Sequence, residues 1–188
     1  MAKLKLNSAL SHISGGIDDW VYRKIDGKMV ISRRPVVTAE PTAAQRGVRA
    51  RFGAAAGYAR QAAGDPTLRA FYTALAKARK SPLFSVMLAD YLNPPTVESV
   101  DLTGYHGAVN DPIAIRATDD SGVVSVNVAI RAADLTVLEE GAAALESGLW
   151  VYRATTARVA GEAVTIAATA LDRPGNTAVK TEAWTAES

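Results

Sequence analysis

The chain has 188 residues, 48% of them hydrophobic, only 6% aromatic and none of them cysteine. That length accommodates one large domain or two small ones, and the missing cysteine excludes disulfides, thiolate zinc sites and cysteine nucleophiles. The net charge of +2 joins unlike halves: residues 1–97 hold 15 Lys and Arg against 6 Asp and Glu, and residues 98–188 hold 6 against 13.

Residues 3–14 alternate loosely, with Leu4, Leu6 and Ile13 among polar neighbours and no evident partner strand. Their first residues carry lysines but no apolar run of signal-peptide length, and no stretch approaches the roughly 20 apolar residues of a membrane span. The expectation is cytoplasmic synthesis with no membrane span, and an extracellular or particle-associated location reached by a route other than Sec export.

Gly15-Gly16 interrupts the alternation. Trp20 to Ile25 then reads as a strand and Lys28 to Arg33 as its partner, because Asp26-Gly27 between them is the preferred two-residue type I′ turn. Counting outward from that turn sets Ile25 against Lys28, Lys24 against Met29, Arg23 against Val30 and Tyr22 against Ile31. Pro35 ends the second strand, since proline has no N–H for a ladder.

Pro41-Thr42 opens a helix, with Thr42 as N-cap and Gln45 at the reciprocal position of a capping box. Val48, Phe52, Ala55, Ala59 and Ala62 recur at helical spacing and predict one buried face. Arg46, Arg49 and Arg60 fall off that stripe. Gly64 stops the helix, Asp65-Pro66 starts a second with Leu68, Phe71, Tyr72 and Leu75 inward, and Ser81-Pro82 starts a third. Pro94-Pro95 ends the helical pattern and places a domain boundary at about residue 95.

Beyond it the apolar period changes from 3.6 to 2. Seven short strands are predicted: Val97–Leu102, Pro112–Ala117, Val123–Arg131, Thr136–Glu139, Leu149–Thr155, Ala163–Ala170 and Thr177–Trp184. Seven strands with turn signals between them predict a β-sandwich. The fold class is α+β: a basic N-terminal hairpin and three-helix region, residues 1–95, followed by an acidic all-β sandwich, residues 96–188.

Two resemblances attach to these regions. Ala117-Thr118-Asp119-Asp120-Ser121-Gly122-Val123, Gly141-Ala142-Ala143, Trp150-Val151-Tyr152 and Ala170-Leu171-Asp172-Arg173-Pro174-Gly175-Asn176 resemble bacterial immunoglobulin-like modules over about residues 96–185. The resemblance implies an immunoglobulin-like sandwich and an adhesive or assembling role more often than catalysis. Ile13-Ser14-Gly15-Gly16, Val21-Tyr22, Gly27-Lys28, Ile31, Arg33-Arg34-Pro35, Thr42, Gln45, Arg49 and Phe52 resemble the start of uncharacterised bacterial proteins, some of them associated with phage-like or extracellular particles. That likeness implies no catalytic residue.

The search for chemistry returns little. His12 and His106 lie in different regions, neither at metal-ligand spacing from a second ligand, and no H-E-x-x-H, G-x-S-x-G, Walker A or G-x-G-x-x-G pattern occurs. No enzyme activity and no cofactor are expected. Asp119, Asp120 and Asp172 fall in predicted loops and offer oxygens to Ca²⁺ if those loops cluster, although aspartates in turns commonly bond their own backbone. Arg33, Arg34, Arg46, Arg49, Arg51 and Arg60 form a basic patch near Trp20 and Tyr22, which suits a phosphate backbone with stacked bases; no helix-turn-helix, zinc finger or RNA-binding signature accompanies it.

These readings converge on a non-enzymatic, self-assembling structural subunit of a bacterial filament, appendage or phage-like virion. Its copies would grip one another by complementary charge and by strand addition through Leu4, Leu6, Ile13, Trp20 and Tyr22. Nucleic-acid binding by the basic half is the alternative.

Overall fold

A computed structural model of the chain describes residues 2–3, 15–25, 28–36 and 40–186. By its internal contacts the chain forms two compact units, residues 1–46 and 47–188. The fold is α+β, a hairpin, then helices, then a β-sandwich, with three four-stranded sheets among the described residues. No helix among them is long and apolar enough to cross a membrane.

In the first unit β1 (Ala2–Lys3), β2 (Gly15–Ile17), β3 (Trp20–Ile25) and β4 (Lys28–Arg33) form an antiparallel sheet in the order β1-β4-β3-β2. The β3–β4 register is the one counted from the sequence, Ile25 opposite Lys28 through Tyr22 opposite Ile31, and it continues to Trp20 opposite Arg33. The Asp26-Gly27 turn, Leu4, Leu6 and Ile13 lie outside the described residues. Ala2 and Lys3 pair with Ile31 and Val30, inside their own sheet.

Three helices follow: α1 (Ala43–Gly64), α2 (Pro66–Arg79) and α3 (Leu83–Leu92). The capping box forms as expected, with Gln45 N–H donating to Thr42 Oγ1 at 3.2 Å and Thr42 N–H donating to Gln45 Oε1 at 3.0 Å. Asp65 caps α2 by accepting from Thr67 and Leu68 N–H at 2.8 and 2.9 Å, with Pro66 in the first turn, where its missing N–H costs nothing. The expected Ser81 cap does not form. Pro82 itself occupies the cap position of α3, and the Ser81 hydroxyl turns back to the Arg79 carbonyl at 3.3 Å. Ala59, Ala62, Tyr72, Ala76, Val86 and Met87 pack between the helices, flanked by half-buried Leu68, Phe71, Leu75 and Leu83.

The predicted buried face of α1 is covered over only part of its length. Ala55, Ala59 and Ala62 are sealed, but Val48 is 70% and Phe52 53% exposed, and no α1 residue before Ala55 is buried. Ala59 and Ala62 meet Tyr72, Ala76, Val86 and Met87, so the other helices cover only the later turns of α1.

The expected joint near residue 95 is the passage from α3 into β5 inside the second unit. The sandwich holds β5 (Thr96–Asp101), β6 (Pro112–Thr118), β7 (Ser125–Ala132), β8 (Val137–Ala142), β9 (Ala144–Glu146), β10 (Leu149–Arg153), β11 (Ala163–Leu171) and β12 (Thr177–Thr185). Its two antiparallel sheets have the orders β5-β6-β10-β9 and β12-β11-β7-β8. All seven predicted strands are present within a few residues; β9 was not foreseen. The core is Ile113, Ile115, Val126, Val128, Ile130 and Ile166 with Tyr105 and Tyr152, contributed by alternate positions of both sheets. Each buried β-branched side chain contributes about 1.5–3 kcal/mol. Ala143, buried between β8 and β9, donates its N–H to Val126 O at 2.8 Å where the chain leaves one sheet for the other. Along the β5 and β12 edges, Lys180 Nζ donates to the Glu98 carbonyl at 2.7 Å. The two sheets are therefore tied together at both sides.

Candidate functional site

The sequence-derived assembly residues fall in the first unit. Trp20 is half exposed opposite Arg33, whose guanidinium carbon stands 5.6 Å from the indole centre. Tyr22 is half-buried, between Gly15 on β2 and Ile31 on β4. Arg34 N–H donates to the Asp19 carbonyl at 2.6 Å, and its guanidinium lies over Gly16 so closely that a Cβ there would meet Nη2 at 2.7 Å. Among residues 15–25, 28–36 and 40–46, none is buried.

The remaining arginines divide by what they touch. Arg46 Nη1 donates to the Pro41 carbonyl at 2.6 Å, beside the start of α1. Arg51 Nη2 donates to the Leu92 carbonyl at 2.5 Å and so satisfies an orphan acceptor at the end of α3. Arg49 and Arg60 stand exposed on α1.

A buried polar junction, not foreseen from sequence, joins the helices to the loops that follow β6 and β11. Asp90 is the sole charged residue of α3 and only 1% exposed. The Tyr72 hydroxyl donates to its Oδ2 and pairs with the Tyr58 hydroxyl at 2.7 Å. Asp90 Oδ1 is buried with no hydrogen-bond partner, and so is Asp119 Oδ1. Burial raises the Asp90 carboxyl above the ordinary range, as do the charges of Asp119 and Asp172, against the Tyr72 hydrogen bond that favours its ionised form. Burial likewise raises Tyr72 and Tyr58, whose hydroxyls stay neutral. A lone aspartate in the otherwise uncharged run Leu83–Leu92 was the signal available in the sequence.

The three calcium candidates sit at this junction, each turned to a different partner. Asp119 Oδ2 accepts from Ser121 N–H and Oγ at 2.8 and 3.2 Å. Asp120 Oδ2 accepts from Asn93 Nδ2 at 2.7 Å, while its carbonyl accepts from the Arg79 guanidinium. Asp172 holds its own loop through Asn176 N–H and Nδ2 at 2.6 and 2.7 Å, and the same Nδ2 donates to Tyr91 O at 3.2 Å. Among the described residues no group of three acidic or histidine side chains is placed to hold a metal ion. Arg173 lies 3.7 Å over the Phe71 ring. A polar groove of about 310 Å³, lined by Asn93, Pro94, Thr96, Thr118, Asp119 and Asp120, opens beside the junction.

A second buried network lies where β10 leads into the next loop. Glu139 accepts from Tyr152 Oη at 2.8 Å, Thr155 N–H at 2.5 Å, Thr156 N–H at 3.1 Å and Arg158 Nη2 at 3.1 Å. Burial pushes the Glu139 carboxyl upward, but these donors outweigh it and hold the group below its ordinary value. Burial and the Glu139 hydrogen bond push the Tyr152 phenol up to about 12. Every acceptor position here is directed at the fold itself.

No family model and no curated protein matches the chain. Among solved structures, CopC from Methylosinus trichosporium OB3b aligns at 14% identity over 50% of this chain and 93% of that one, with a TM-score of 0.38. An engineered protein aligns at 22% identity over 50% of this chain and 20% of that one, with a TM-score of 0.37.

Proposed function

We propose that the protein is a non-enzymatic structural subunit that assembles with copies of itself, residues 1–46 being the surface by which one copy holds the next. The observation that carries this reading is the sheet of that unit, in which no described side chain is buried. A sheet is stable when it covers a face, and strands of two, three, six and six residues are marginal without such cover. Ile17, Trp20 and Ile25 are exposed on it, as are Val48 and Phe52 on α1. The occupant is the acidic half of a second copy, because residues 1–46 carry an excess of four positive charges and residues 98–188 an excess of seven negative ones.

The sandwich supports the same reading. Its sheet orders, β5-β6-β10-β9 and β8-β7-β11-β12, run in the sense of the immunoglobulin order ABED against C′CFG, a frame used for adhesion and assembly. The resemblance of residues 13–52 to particle-associated bacterial proteins suggests an extracellular filament, an appendage or a phage-like particle as the setting. Strand addition belongs to the edges of the N-terminal sheet, where β1 and β2 are short.

Sedimentation velocity of the full chain across protein and salt concentrations tests the proposal. Species larger than a monomer are expected, dissociating as salt screens charges beyond about 10 Å at 0.1 M. A monomer under every condition overturns it.

Nucleic-acid binding is the second reading, favoured by exposed Trp20, Arg49 and Arg60. Against it, Arg33 already lies over the indole, and Arg46 and Arg51 direct guanidinium donors at backbone carbonyls. Retention of DNA or RNA on filters at low salt, lost steeply as salt rises, decides for this reading.

A further inference from the structure

Asp90 occupies the buried centre of the contact between the helices and the sandwich. Its neighbours come from every element packed there: Tyr58 from α1, Tyr72 from α2, Asp119 and Ser121 from the loop after β6, and Asp172 and Arg173 from the loop after β11. Tyr72 supplies one donor, to Oδ2. Asp90 Oδ1 and Asp119 Oδ1 are both buried acceptors without a donor. A buried carboxylate oxygen left without a hydrogen bond is costly, and a second carboxylate nearby makes it more so. The one cation in this set, Arg173, faces the Phe71 ring at 3.7 Å. A proton on the Asp90 carboxyl removes its uncompensated buried charge and the repulsion from Asp119 and Asp172.

We propose that Asp90 is a proton-dependent latch: protonated, it holds the helices closed against the sandwich loops, and its ionisation loosens them. The other links across this contact are the Asn93–Asp120 and Asn176–Tyr91 hydrogen bonds at 2.7 and 3.2 Å, the Arg79–Asp120 contact and the Arg173–Phe71 stack. The Asn93 and Arg79 links are solvent-exposed, and exposed polar contacts are individually weak. The buried carboxyl is thus the group whose charge state matters most. Asp119 lines the groove beside the junction.

The sign of the pH effect follows from burial, which raises the folded carboxyl above its ordinary value of 3.8. The folded protein then holds the proton more tightly than the unfolded chain. The contribution is complete below 3.8 and is lost as pH rises through the raised folded value. The latch works whether or not copies assemble.

Two measurements on the full chain test it. Infrared difference spectra between wild type and Asp90→Asn should show a protonated-carboxyl band that the variant lacks and that fades as pH rises. Amide-exchange protection of α3, corrected for intrinsic rates, should fall with rising pH in the wild type by up to about tenfold per pH unit, the limit for one proton. In Asp90→Asn it should stay flat. A wild type with no such band at any pH where it is folded, or a variant with the wild-type slope, overturns the proposal. If Asp90→Asn does not fold, the wild-type spectrum decides: a protonated carboxyl that titrates with α3 protection supports the latch, and its absence refutes it.

Discussion

Arg158 Nη2 stands 3.1 Å from Glu139 Oε2, with only 4% and 2% of the two side chains exposed. Such a pair is sustained by the hydrogen bonds that complete it more than by its Coulomb attraction. Glu139→Gln keeps the shape but leaves the buried Arg158 cation with only the longer, partly exposed contact from Nη1 to Glu162 Oε1 at 3.7 Å. The expected cost is about 3–5 kcal/mol, read from urea unfolding. A loss near zero would mean that the pair is open to water in solution.

Glu139 also sets an acid limit. Its folded carboxyl lies below 4.5 because its donors outweigh burial, so its contribution is present above 4.5 and is lost as pH falls through the lower folded value. The urea midpoint should drop as pH falls below 4.5, and Glu139→Gln should flatten that limb. An unchanged acid slope in the variant assigns the effect to other groups.

Two glycines should respond in opposite directions to alanine. A Cβ at Gly141 would lie 2.8 Å from Tyr152 Cε2, on a ring pinned by its hydroxyl to Glu139. Gly141→Ala should cost about 1–3 kcal/mol by overpacking. A Cβ at Gly53 meets nothing within 4 Å, in the middle of α1. Gly53→Ala should stabilise by about 0.4–1 kcal/mol. Thermal melts of both variants check the pair.

Tyr72→Phe removes the hydroxyl that donates to Asp90 and pairs with Tyr58. A destabilisation of about 1–3 kcal/mol is expected for buried groups left unpaired. The hydroxyl favours the ionised carboxyl, so its loss should move the loosening of α3 to higher pH. Exchange protection measured across pH separates this shift from a uniform loss of stability.

Local signals carried much of the fold. The β3–β4 register followed from one turn dipeptide, and the Thr42–Gln45 box and the Asp65-Pro66 start are chemistry within a single turn. What escaped depends on distant partners. Ala144–Glu146 shows no alternation and becomes a strand because the chain crosses between sheets at Ala143. Val48 and Phe52 keep the spacing of a buried face, yet the helices that cover Ala55 to Ala62 do not reach them. Periodicity gives the face of a helix, not the length of its cover. Asp90 is the one charge in an otherwise uncharged helix, but its loop neighbours Asp119, Ser121 and Asp172 are fixed only by the folded sandwich.

The claim that residues 1–46 bind one copy to the next is tested most directly by electron microscopy of negatively stained protein. The full chain would be imaged beside a variant lacking residues 2–14, with circular dichroism confirming that the sandwich of the variant is intact. Regular fibres or rings are expected from the full chain and isolated particles from the variant. Isolated particles from both, or the same fibres from both, contradict it.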